Sequence, residues 1–184
     1  LWLLASIWVL QAQGTDPGPN KEAIDSETLA VLSLNVAHAR GTSLNQLLVS
    51  REGHMRNLAD IASLLRTSNT DIAALQEADG PSLWSGRFDH VQHLSDLVDY
   101  QSTVQGRHAD SWLFSYGAAL ISRVSLHDTA SHSFEPSWPT ATKGYVRGSI
   151  RWRSTDEHSA PLTVTLVSVH LDFSRKSVRA AQTA

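Results

Sequence analysis

The sequence contains no cysteine. That excludes disulfides, thiolate metal sites and a cysteine nucleophile, and it leaves no cysteine from which to read a redox compartment. Basic residues are not in excess either. The formal net charge is -3, so no broad cationic surface points to a nucleic-acid partner. Nowhere does an apolar run reach the ~20 residues a helix needs to cross a bilayer. There is no Gly-x-Ser-x-Gly elbow, hence no support for acyl chemistry. No glycine-rich loop follows the first strand, which weighs against a doubly wound nucleotide-binding domain. Internal repeats and low-complexity segments are absent.

What remains is an ordinary globular composition. The chain has 184 residues, of which 41% are hydrophobic and 18% charged, enough for one domain with a real core or for most of a larger one. Nine histidines and six tryptophans are many for this length. Histidine serves metals and proton transfer, and it is also common on surfaces.

Residues 1–10 are apolar and uncharged, and Gln11-Ala12-Gln13-Gly14 follows. Such a stretch suits the apolar core of a secretory signal peptide, with Ala12-Gln13-Gly14 as a small-x-small cleavage site. The competing reading is part of a membrane anchor. Residues 1–14 are therefore expected to be a signal-peptide or anchor remnant, and the protein exported (periplasmic or extracellular) or membrane-anchored. Residues 15–28, polar and containing Pro17, Gly18 and Pro19, read as a flexible lead-in. The folded domain is expected over 29–184.

Residues 29–36 form an apolar run that stops at Asn35, a residue disfavoured in strands. A loop with His38, Arg40 and Gly41 follows. A helix is predicted over 51–66, capped by Ser50, with Met55, Leu58, Ala59, Ala62 and Leu65 on one face. Asp71-Ile72-Ala73-Ala74-Leu75-Gln76-Glu77 is the stretch around which the rest is organised. Its apolar centre reads as a strand covered on both faces, and it ends on a carboxylate, a group seldom buried unless paired or metal-bound. Strand, helix, strand makes the two strands neighbours and brings Asn35 and Glu77 to one rim of the sheet, where ligands of α/β folds bind. A short helix is expected over 88–98 and strands over 117–123, 145–153 and 162–171. The last ends on His170-Leu171-Asp172, and a helix begins after Ser174.

Asn35, Gln76-Glu77 and His170-Leu171-Asp172 close three apolar strands in order. This set resembles the endonuclease/exonuclease/phosphatase family, the fold of deoxyribonuclease I. Ser33-Leu34-Asn35-Val36 is similar to its first motif, the Asp71–Glu77 stretch to its second, Gly117-Ala118-Ala119-Leu120-Ile121-Ser122-Arg123 to its Gly-x-x-apolar-apolar-Ser-Arg strand, and Val169-His170-Leu171-Asp172 to its His-Leu-Asp motif. The family's Gly-Asp-x-Asn motif and closing Asp-His pair are not found. The resemblance thus implies the N-terminal two-thirds of the domain: an α/β (α+β) four-layer sandwich of two packed mixed β-sheets flanked by helices, incomplete at the C-terminus.

The resemblance also implies a divalent-metal-dependent phosphohydrolase, a phosphodiesterase, endonuclease or phosphatase working by metal-assisted attack of water. Glu77 and Asn35 would hold the metal, with His170, Asn35 and Glu77 the catalytic set. His38, Arg40 and Asp172 would border the substrate. The metal would be Mg2+, with Mn2+ or Ca2+ as alternatives. A phosphate ester (nucleic acid, phospholipid or small phosphodiester) would be the substrate, and no obligate protein partner is evident for what is expected to be a monomer. Without the family's closing base the chain as given is expected to be inactive. The alternative is a non-catalytic binding domain of the same fold, against which Asn35, Glu77 and His170 argue. Lys143 or Arg147 could approach the same rim, with a solvated surface position the favoured reading, and Trp84, Trp112 and Trp138 could form an apolar substrate edge, with small clusters beneath loops the favoured reading.

Overall fold

The computed structural model describes residues 21–155 and 160–184 in full, and of residues 6–8 the backbone. The strands are β1 Ser6–Trp8, β2 Ala23–Asp25, β3 Val31–Asn35, β4 Ile72–Asp79, β5 Ser102–Gln105, β6 Ala109–Asp110, β7 Ser115–Ser122, β8 His127–Ser133, β9 Gly144–Arg153 and β10 Leu162–His170. The helices are α1 Arg51–Thr67, α2 His90–Leu97 and α3 Lys176–Gln182, with single 3-10 turns at Ala37–Ala39 and Gln46–Leu48. Apart from the backbone of Ser6–Trp8, which pairs with β3, the signal-peptide reading lies outside the described residues.

Two mixed sheets pack face to face. The first runs β1-β3-β4-β7-β5, with β6 also on β7; the second runs β10-β9-β2, with β8 on the same edge of β9 as β2. As the strand–helix–strand pattern requires, β3 and β4 are parallel neighbours, and their register sets Asn35 opposite Gln76.

Side-chain alternation divides the core in two. Ala73 and Leu75 of β4 point to α1 and α2, where Leu58, Ala62, Leu65, Val91 and Leu94 meet them. Ile72 and Ala74 point the other way, toward Val146 and Ile150 of β9. Because β4 is covered on both faces, it shows the continuous apolar run seen in the sequence.

Two local expectations change. The lead-in is not wholly flexible: residues 23–25 pair with β9, and Ile24 is buried. The buried face of α1 runs through Gly53, His54, Leu58, Ala62 and Leu65, and Ala59 is exposed. The face turns because His54 Nδ1 donates to Ala39 O at 3.1 Å and draws that side of the helix inward. The class is as expected, two packed mixed sheets with flanking helices; α3 contributes at most half-buried residues, and Val167 and Val169 of β10 stand exposed.

Candidate active site

The strand ends predicted to carry chemistry converge. The ends of β3, β4 and β10 and the starts of β7 and β9 lie at one rim, because Asp79 pairs with Tyr116 and His170 with Gly144.

Glu77 owes its direction to a β-bulge. Leu75 is opposite Ala119 but Ala78 is opposite Gly117, so Gln76 and Glu77 together face the single residue Ala118. With strict alternation after Ala73 and Leu75, Glu77 would point into the helix-side core, where a lone carboxylate is prohibitively costly. The bulge passes that position to Ala78, which is 1% exposed within that core, and re-aims Glu77 toward the second sheet. Glu77 accordingly sits at φ +52°, a left-handed conformation that costs a non-glycine residue roughly 1–2 kcal/mol.

Two imidazoles flank the carboxylate. His38 Nε2 is 3.6 Å from Glu77 Oε2 and His170 Nε2 is 3.6 Å from Glu77 Oε1, both longer than a good hydrogen bond. The Glu77 side chain keeps a quarter of its surface exposed (25%), so it can still meet a ligand. Burial, and then the charge of Lys143, lower the His170 pKa to about 4, so this ring is neutral at pH 7.

His38 is anchored from behind. Its Nδ1 donates to Asp79 Oδ1 at 2.8 Å, and Asp79 is 1% exposed, with burial raising its pKa against the pull of His38. His38 reaches this place through a left-handed turn, with φ of +47°, +59° and +49° at Ala37, His38 and Ala39. Asn35 Oδ1 accepts from Ala37 N at 2.9 Å and starts the turn. His54 Nδ1 and Asn57 Nδ2 of α1 hold its end through Ala39 O.

Gln76 supports the bulge, as its neighbouring position suggested. Its Nε2 donates to Ser168 Oγ of β10 at 3.1 Å, and Ser168 Oγ donates on to Leu75 O at 2.8 Å. Beneath the rim, His108 fills the gap between the sheets. A Cβ on Gly144 would come within 2.5 Å of His108 Nδ1, and one on Gly117 within 1.8 Å of Gly106 O; only glycine permits these approaches.

The remaining candidates divide. Arg40 turns to its own loop, donating to Leu44 O, and no contact ties it to Glu77. Asp172 is buried, and its oxygens accept from Thr140 Oγ1 (2.6 Å), Ser137 Oγ, Ser174 N and Oγ, Arg175 N and the Arg175 guanidinium. These bonds, that of Thr140 first, hold its carboxyl far below the usual carboxylate range. A carboxylate so engaged fastens loop 137–140 to the start of α3 and is not free to border a substrate. Trp84 joins Phe114, Tyr116 and His38 in one aromatic cluster, whereas Trp112 and Trp138 are more than four-fifths exposed and pack into no cluster.

Sequence reasoning missed Asp79 and ranked Lys143 at the rim below a solvated surface position. Asp79 was signalled by the second carboxylate in Gln76-Glu77-Ala78-Asp79. Lys143, read as a surface residue, is 6% exposed. Burial lowers its pKa, while Glu77 and Asp172 act to raise it.

A hard divalent ion asks for carboxylate oxygen, keeps several waters, and is commonly held by one or two carboxylates plus substrate phosphate. One accessible carboxylate beside the exposed Asn35 at the adjoining strand end fits that donor chemistry. Among the described residues no three His, Asp or Glu side chains form a closed metal cage.

No family model and no curated protein matches the chain. Solved structures do. An endonuclease/exonuclease/phosphatase family protein from Leptotrichia buccalis C-1013-b is 15% identical with a TM-score of 0.55, covering 82% of this chain and 56% of that one. TDP2 from Caenorhabditis elegans is 18% identical with a TM-score of 0.54, covering 84% and 39%. An endonuclease/exonuclease/phosphatase from Beutenbergia cavernae DSM 12333 is 15% identical with a TM-score of 0.54, covering 83% and 40%. The chain therefore spans between 39% and 56% of the length of these structures. At such identities the likeness is one of fold, and the chain has the two-sheet fold of the endonuclease/exonuclease/phosphatase proteins.

Proposed function

We propose that the rim around Glu77 is the working half of a divalent-metal-dependent phosphoric ester hydrolase. One observation carries the reading: the bulge in β4 spends backbone strain to turn Glu77 out of the core and set it, still accessible, between His38 and His170. Strain at one carboxylate, held by the surrounding structure, is what functional sites retain.

Glu77, with the amide of Asn35, would hold the metal. When bound, a divalent ion polarises a phosphoryl oxygen and offsets the charge that develops there. His170, neutral and fixed at the end of β10, would donate a hydrogen bond to a non-bridging phosphate oxygen. His38 would hold Glu77 in place, backed by Asp79. A nucleic acid, a phospholipid or a small phosphodiester each suits this chemistry. The apolar residues 1–10 support an exported or anchored protein.

Hydrolysis of bis-p-nitrophenyl phosphate by the full-length protein, with and without magnesium, tests the reading. Turnover that needs the metal is expected, and metal-independent turnover would overturn it.

A further inference from the structure

We propose that Lys143 supplies the counter-charge for the substrate's phosphate, its ammonium taking a non-bridging oxygen at the rim that carries Glu77 and His170.

The inference starts from an imbalance of charge. Lys143 is 6% exposed, and lysine is almost never fully buried unless it is paired. Among the described residues its ammonium makes no hydrogen bond and has no carboxylate within 4 Å. It lies over the Tyr116 ring, whose centroid is 5.7 Å from Nζ, a cation–π pairing that offsets only part of the desolvation of an ammonium.

The two carboxylates whose charge it feels, Glu77 and Asp172, both lie more than 4 Å from its ammonium. Glu77 lies between His38 and His170, and Asp172 is saturated by Thr140, Ser137, Ser174 and Arg175. Yet the fold takes care over the placement. Lys143 directly precedes β9, whose first residue Gly144 is opposite His170, and its backbone carbonyl accepts from Phe134 N at 2.9 Å. The Lys143 backbone is thus fixed at the rim, next to the residue that pairs with His170. An ammonium that no side chain pairs among the described residues, on a residue otherwise enclosed at the rim that carries His170, is placed to take an anion.

This assignment rests on the phosphohydrolase reading for its meaning, but it can fail separately. The test is calorimetric titration of inorganic phosphate into the metal-free chain, for wild type and Lys143→Met, with melting temperatures in phosphate-free buffer. Lys143→Met should weaken phosphate binding on the order of ten- to a hundredfold, the share of one charge-assisted bond. Its melting temperature should stay level or rise, because the substitution keeps an apolar side chain of similar length and breaks no hydrogen bond or ion pair among the described residues. Equal binding by the variant, no binding by wild type, or a variant that melts lower while binding phosphate as before would overturn the proposal and leave Lys143 a structural residue. Loss of metal-dependent hydrolysis in Glu77→Gln is scored separately and decides the phosphohydrolase reading alone.

Discussion

His90 makes this protein acid-sensitive, and the effect can be sized. The ring is 1% exposed. Its Nε2 donates to Ser85 O at 2.9 Å, so Nδ1 is the bare nitrogen, and it is buried without a partner. Its neighbours are the rings of Phe88 and His54, with centroids 4.6 and 5.0 Å away. A proton on Nδ1 would create a buried cation with no acceptor. Burial accordingly lowers the His90 pKa from 6.5 to about 3. The sign follows directly. The unfolded chain binds this proton near pH 6.5 and the folded chain does not, so the stabilisation is complete above pH 6.5 and is lost as pH falls toward 3. Each pH unit in that window costs 1.36 kcal/mol, so moving from pH 7 to pH 5 removes about 2 kcal/mol. Against a total stability of about 5–15 kcal/mol, that is easily read in urea melts at pH 7, 6 and 5. His108 and His170 are shifted the same way, each to about 4, so the wild-type slope is steeper than one histidine explains. His90→Gln, whose amide can still donate to Ser85 O, isolates the contribution: its profile should be flatter than wild type by about 2 kcal/mol over this range. Parallel profiles for the two proteins would refute the argument.

Other outcomes follow from the same geometry. Glu77→Gly should abolish metal-dependent hydrolysis while leaving urea stability equal or about 1 kcal/mol higher, because glycine relieves the left-handed strain at the bulge and gives back part of the gain as chain entropy. His38→Ala should cost about 1–3 kcal/mol in the same melts, since it strips the buried Asp79 carboxylate of its hydrogen bond. Ser168→Ala should cost about 1–3 kcal/mol by breaking the Gln76–Ser168–Leu75 chain that ties the sheets beneath Glu77. Ile150→Ala, at 0% exposure between the sheets, should cost about 2–5 kcal/mol with phosphate binding intact in calorimetry.

The strands legible in the sequence were those whose burial leaves a plain signature. β4 and β7 are covered on both faces and read as unbroken apolar runs, and β10 is rich in β-branched residues. β2 was missed because three residues on an edge carry no period, and α1 was read half a face off because a histidine, His54, lies on its buried side. At the site, Asn35, Glu77 and His170 were legible as polar residues closing apolar strands. The bulge was not, because nothing in Gln76-Glu77-Ala78-Asp79 says that two residues will share one partner; the pairing to β7 decides it. Lys143 was ranked low for a related reason. A lysine in a Pro-flanked loop looks solvated until the sheets pack and enclose it. Asp172, expected at the substrate, proved to be an anchor because four residues of two loops converge on it, a relation of tertiary structure alone.

The central claim is that Glu77 turns this rim into a metal-dependent phosphohydrolase site. Its most direct test is hydrolysis of bis-p-nitrophenyl phosphate by full-length wild type and Glu77→Gln across a magnesium titration, with circular dichroism confirming that both are folded. The account predicts magnesium-dependent turnover by wild type and none by the variant at any magnesium concentration. Turnover by folded Glu77→Gln at the wild-type rate, or none by folded wild type with any divalent metal, would contradict it.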